Sequence, residues 1–119
     1  MCFFYDNQEQ SEYYKPMILP IIGKINPTAV ERVKLNMSFT EEGDVASGWH
    51  IDSQNPNITT ALLYLTSHSK GGTMMEDGSV IEAKANRFVS FPSSIAHTGI
   101  VSTSKEEKVR IVLNFNYLK

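Results

Sequence analysis

Three side chains that bind metals stand in an informative order along the chain. The first two lie in Trp49-His-Ile-Asp52. Residues two apart in an extended backbone project from the same side, so His50 and Asp52 point together while Ile51 turns away. An imidazole and a carboxylate on one face supply two of the three ligands of a facial triad of two histidines and one carboxylate. That geometry leaves the opposite face of an iron(II) ion open. Alone the pair is weak evidence, because His-x-Asp often occurs by chance and a surface histidine bonded to a nearby aspartate is the commoner outcome. His97, within Ile95-Ala-His-Thr-Gly99, supplies the missing imidazole if intervening hairpins fold it back beside the first pair. The plainer reading of His97 is a partly buried histidine bonded to a backbone carbonyl. Three residues of fitting type in fitting order shift the balance towards metal binding.

Arg110 opens the last apolar run. Counting by twos, Arg110, Val112, Asn114 and Asn116 share one face of a strand, and Ile111, Leu113, Phe115 and Tyr117 share the other. The second set reads as a packing surface. An arginine opposite it is either solvated or aimed into a polar cavity, where a guanidinium is suited to grip a carboxylate through two parallel bonds.

Short strands punctuated by turns must position these groups. Runs at 33–39, 58–66, 87–91, 95–102 and 108–117 are rich in β-branched and apolar residues. Residues 72–80 contain Asp77-Gly78, a strong hairpin signal. Residues 41–44 read as a turn and 67–72 as a loop that contains an exposed His68. Many short strands at close spacing predict an all-β sandwich or barrel such as a jelly roll. Residues 1–32 read as an irregular arm. It is polar at 6–12, is interrupted by Pro16 and Pro20, and ends in a short helix capped by Asn26 with Pro27 at its first position.

Composition narrows the classes. A chain of 119 residues fits a single domain. Its net charge of −2 and pI near 5.9 disfavour nucleic acid, whose binders carry a basic surplus. No apolar run is long enough to span a bilayer, and the first residues lack the basic leader of a secretory signal. One thiol, Cys2, excludes an internal disulfide framework or a cysteine-rich zinc site, so a reducing, cytoplasmic setting is expected.

The ordered set His50-x-Asp52, Tyr64-Leu-Thr, Gly71-Gly-Thr, Arg87-Phe-Val-Ser-Phe, His97 and Arg110-Ile-Val-Leu-Asn-Phe-Asn-Tyr117 resembles the prolyl 4-hydroxylase-like branch of the 2-oxoglutarate and iron(II)-dependent dioxygenases, over residues 33–117. The resemblance implies a double-stranded β-helix, a cupin-like barrel, with iron(II) held by His50, Asp52 and His97. It implies 2-oxoglutarate as co-substrate, its far carboxylate on Arg110 and Tyr64, ascorbate as an accessory reductant, and Met74 lining the cavity near the metal. The implied activity is hydroxylation with release of succinate and carbon dioxide, a peptidyl or free amino acid being the favoured substrate. The chain departs from the family at 82–86, where a proline and then a glycine are usual, in a longer spacing from His97 to Arg110, and in the shortness of the segment before residue 33. Two other readings stay open: a catalytically silent jelly-roll binding module, and a cupin-like metalloenzyme that does not use 2-oxoglutarate. Few N-terminal residues are available to cover the stripe of Ile111, Leu113, Phe115 and Tyr117: either the segment Tyr13–Ile22 folds over it or a second copy does, and of the two a homodimer is expected.

Overall fold

The computed structural model describes residues 1–5, 8–39, 45–46, 48–101 and 109–119, apart from the side chains of 39, 45–46, 68–70 and 101. Its strands are β1 (Cys2–Tyr5), β2 (Gln8–Glu9), β3 (Ala29–Phe39), β4 (Val45–Ala46), β5 (Ile58–Tyr64), β6 (His68–Met75), β7 (Val80–Ala83), β8 (Phe88–Pro92), β9 (His97–Val101) and β10 (Val109–Leu118). They form two antiparallel sheets, ordered β2-β1-β3-β10-β5-β8 and β4-β9-β6-β7. From β3 onward the chain passes repeatedly between the sheets, as a double-stranded β-helix does. The expected jelly roll is what the chain adopts.

β10 organises the molecule, flanked by β3 on one side and β5 on the other. Its period-two pattern sends Arg110, Val112, Asn114 and Asn116 inwards and Leu113, Phe115 and Tyr117 to the outer face, and all seven are buried. The outer set packs with Phe3, Tyr14, Ile18, Val33 and Ala61, and Ile21, Ile22 and Ile25 close over them. The arm is therefore not irregular. A π-helical turn (Tyr14–Ile18) runs into α1 (Leu19–Ile25), and Pro20 falls in the first turn of α1, where a missing N–H leaves no bond unmade. Because the chain's own first residues cover the stripe, the reason for expecting a homodimer disappears.

Two local expectations fail for identifiable reasons. Asn26 ends a helix instead of starting one: it adopts φ 53° and donates its N–H to the Ile22 carbonyl at 2.8 Å. Asparagine suits both helix ends, since it caps an N-terminus and tolerates the left-handed conformation beyond a C-terminus. No helix starts after it, and β3 begins at Ala29. Likewise 67–72 is largely not a loop, since β6 already begins at His68, and a register shift between His68 and Gly72 accommodates the glycines within it. In the turn before β8 it is Asn86, not a glycine, that takes a left-handed conformation, at φ 70°. The readings of 41–44, of 102–107 as the longer turn before Arg110, and of His68 as exposed lie outside the described residues and side chains.

Gly72 has φ 149°, and a Cβ there would collide with the Ile81 carbonyl oxygen of β7. Gly72→Ala is expected to lower stability by on the order of 2–4 kcal/mol, combining backbone strain with overpacking. A urea midpoint equal to that of the unaltered protein would show that β6 and β7 do not approach so closely.

Candidate metal centre

His50 and His97 face each other through a reciprocal pair of backbone hydrogen bonds, each N–H donating to the other's carbonyl at 3.0 Å. Two residues on, the N–H groups of Asp52 and Ser53 both donate to the Ser93 carbonyl, at 3.0 and 3.3 Å. The main chain itself thus draws the His-x-Asp segment against residues 93–97. The rings are oriented in turn. His50 Nδ1 lies 3.1 Å from the Gly48 carbonyl and His97 Nδ1 lies 2.9 Å from the Ile95 carbonyl. A carbonyl only accepts, so each Nδ1 carries the hydrogen and each Nε2 presents a lone pair. Those nitrogens sit 3.5 and 3.7 Å from Asp52 Oδ1.

Asp52 divides its two oxygens between distinct tasks. Oδ2 accepts from Thr60 Oγ1 at 2.8 Å, Asn116 Nδ2 at 3.1 Å and Asn114 Nδ2 at 3.3 Å. Thr60 has one proton and gives it to the carboxylate, so Ser93, 2.7 Å away, donates to Thr60, as does Asn116 at 3.0 Å. Burial pushes the Asp52 carboxyl upwards, but the Thr60 bond, the neighbouring His97 and the two asparagine amides outweigh it and hold it below its ordinary value. A lowered carboxyl contributes stability above the ordinary carboxylate range, and that contribution is lost as pH falls through the lowered value. Oδ1, left free of side-chain donors, faces the two imidazoles.

The three ligand atoms lie within 4.8 Å of one another and could hold a metal ion. Neighbouring ligands on an octahedral ion with bonds near 2.1 Å sit about 3 Å apart, so a small closure completes the set. Two neutral nitrogens and one carboxylate oxygen are donors suited to iron(II) or manganese(II). His50 is the solvent-facing member, its side chain 48% exposed, against 4% for His97 and 3% for Asp52.

A second polar group lies further along β10. Arg110 is 6% exposed, and its Nη2 donates to Thr73 Oγ1 at 3.3 Å. The buried Tyr64 hydroxyl lies 2.7 Å from the same oxygen, and the guanidinium carbon sits 5.9 Å from the Tyr64 ring centre. Burial lowers the Arg110 pKa; burial also raises that of Tyr64, against the opposing pull of the Thr73 bond and the Arg110 charge. Among the described residues no carboxylate pairs with Arg110, and its Nε has no acceptor. A buried charge left in that state is costly.

Both groups open on one cavity of about 940 Å³, lined by His50, His97, Asn114 and Arg110 among others. Thr73 is the β6 residue in its wall, and alternation puts its neighbour Met74 on the other face, so Met74 does not line the cavity. Sequence reasoning missed Thr60, Ser93 and Thr73. Thr60 alone had a local signal, sharing the inward face of β5 with Tyr64.

No protein-family model matches the sequence, and no curated protein matches it. Among solved structures, a cupin protein from Bacteroides fragilis aligns with 82% of this chain and 73% of its own, with a TM-score of 0.56 at 12% identity. The fold is that of a cupin. Within this cupin fold the two histidines and the aspartate form a cluster that could hold a metal. Among the described residues no helix is long and apolar enough to cross a membrane.

Proposed function

We propose that the chain is a single-domain iron(II) and 2-oxoglutarate-dependent dioxygenase of the prolyl 4-hydroxylase-like kind, with residues 1–32 as its arm and 33–119 as its catalytic barrel. The observation that carries this is Arg110, a buried guanidinium with no counter-charge among the described residues, sharing a cavity with His50 and His97, the two imidazoles beside Asp52. An anionic co-substrate would supply the counter-charge that this guanidinium lacks. Asn114, which bonds Asp52, is separated from Arg110 by four positions, about 13 Å along the strand. An arginine side chain and a five-carbon diacid are together long enough to span that distance.

In this reading His50, Asp52 and His97 hold iron(II), and Arg110 grips the far carboxylate of 2-oxoglutarate. Tyr64, through Thr73, fixes the guanidinium. When bound, iron(II) would let dioxygen oxidise two partners together, one oxygen atom hydroxylating a C–H bond and the other leaving in the succinate that 2-oxoglutarate becomes as it loses carbon dioxide. The protein's own groups orient the ligands: Gly48 and Ile95 carbonyls hold the imidazoles, and Thr60, Asn114 and Asn116 hold the carboxylate. The buried walls, Leu62 and Val112 among them, exclude water from the reacting centre. A reducing cytoplasm, with ascorbate as accessory reductant, suits an iron(II) site.

Purified protein supplied with iron(II), 2-oxoglutarate and air is expected to release succinate, and to stop when a chelator removes the metal. Calorimetry on manganese(II)-loaded protein that detects no 2-oxoglutarate binding at millimolar concentration would sink the reading.

A further inference from the structure

The cavity wall is positively charged although the chain as a whole is not. Its lining residues include two cationic side chains, Lys34 and Arg110, and no acidic residue, in a chain of net charge −2. If Arg110 takes the co-substrate, Lys34 is left over. It lies on the inward face of β3, directly across from Asn114 of β10, so it stands at the Asp52 end of the cavity, away from Arg110. Among the described residues it has no ion-pair partner.

Its cross-strand neighbour is unpaired in the opposite sense. The Asp52 carboxylate only accepts, so the Asn114 amide turns its nitrogen towards Asp52 and its Oδ1 away. Asn114 is 3% exposed, lines the cavity, and its Oδ1 has no hydrogen-bond partner. An unmet cation and an unmet acceptor therefore stand side by side, since residues directly opposite on antiparallel strands have Cβ atoms about 5 Å apart. The single tryptophan, Trp49, flanks them in the cavity wall next to His50 and is 52% exposed.

We infer that Lys34 and Asn114 form the primary-substrate subsite, and that it takes the zwitterionic end of a free amino acid. Lys34 holds the α-carboxylate, the Asn114 Oδ1 accepts from the α-ammonium, and Trp49 covers the side chain. This rests on the oxygenase reading of the cavity. One ammonium beside the neutral Asn36 and Ser38 matches a single negative charge and falls short of what a phosphate dianion requires. A residue within a peptide offers neither a carboxylate nor an ammonium at its α-carbon.

Trp49 reports the test directly. Manganese(II)-loaded protein saturated with 2-oxoglutarate is titrated with the common amino acids, their C-terminal amides and their N-acetyl derivatives, while tryptophan fluorescence is followed. At least one free amino acid is expected to give a saturable change. Its amide and its N-acetyl form should each bind at least ten-fold more weakly. Lys34→Gln should erase the preference for acid over amide, Lys34→Arg should restore part of it, and 2-oxoglutarate affinity should be the same in all three proteins. Equal binding of acids and amides, or a response to blocked peptides alone, overturns the inference while 2-oxoglutarate binding stands. A ten-fold loss of 2-oxoglutarate affinity in Lys34→Gln also overturns it, because Lys34 would then belong to the co-substrate clamp. Absence of 2-oxoglutarate binding in every protein would instead strike the oxygenase reading.

Discussion

Arg110→Ala is expected to cut 2-oxoglutarate affinity by on the order of 2–5 kcal/mol, from about thirty-fold to several thousand-fold, while leaving the metal in place. The loss is large because the ligand's carboxylate would enter a buried site without its charge partner. The metal is spared because the ligands and their hydrogen-bond partners lie towards the other end of the cavity. Arg110→Lys should recover part of the affinity, a point charge replacing a two-pronged donor. The ligand-free protein should behave in the opposite way. Removing a guanidinium that is buried without a counter-charge relieves a desolvation cost, so the alanine variant should be no less stable than the parent. Titration calorimetry on manganese(II)-loaded protein measures the first effect and thermal denaturation the second. Equal 2-oxoglutarate affinity in the two proteins would mean that another residue holds the carboxylate.

His97→Ala should abolish tight binding of iron(II), manganese(II) or cobalt(II), taking the stoichiometry from about one per chain to none at micromolar concentration. His97 is the better test of the two imidazoles because it is buried, whereas His50 is half exposed. Asn116→Ala touches no metal yet should weaken binding about 10- to 100-fold, the usual cost of removing a group that orients a ligand. Metal analysis after dialysis separates these outcomes. Unchanged stoichiometry when both His50 and His97 are alanine would end the assignment of the triad.

How much the sequence discloses depends on how far each signal reaches. The inward and outward faces of β10 are legible because a period of two is a local property, and both faces are occupied as the alternation predicts. The His50–Asp52 pair is legible for the same reason. So is the turn at Asp77-Gly78, where Gly78 takes φ 87° and donates to the Met75 carbonyl at 2.9 Å. Ser93 and Thr73 are not, and Thr60 is so only in sharing a face with Tyr64, since a hydroxyl finds its partner only through the strand that lies beside it. Lys34 is hidden likewise, because only the pairing of β3 with β10 sets it beside Asn114. The prolines of the arm mislead: Pro20 marks a helix start as readily as a break, and the apolar residues around it choose helix because they have a sheet face to cover.

The double burial of β10 also shapes how this protein can change over evolutionary time. Alternate residues of one strand belong to two different economies, one of volume and one of hydrogen-bond chemistry. At Leu113, Phe115 and Tyr117 drift among apolar residues of similar size is tolerable, because only the filling of space is selected. At Arg110, Asn114 and Asn116 it is the donor and acceptor pattern that is selected, and near-isosteres fail. Insertion or deletion of a single residue would exchange the two sets at once, sending the guanidinium into the apolar layer and a leucine into the cavity. Lineages descending from this sequence can therefore retune β10 by substitution, but its length is frozen.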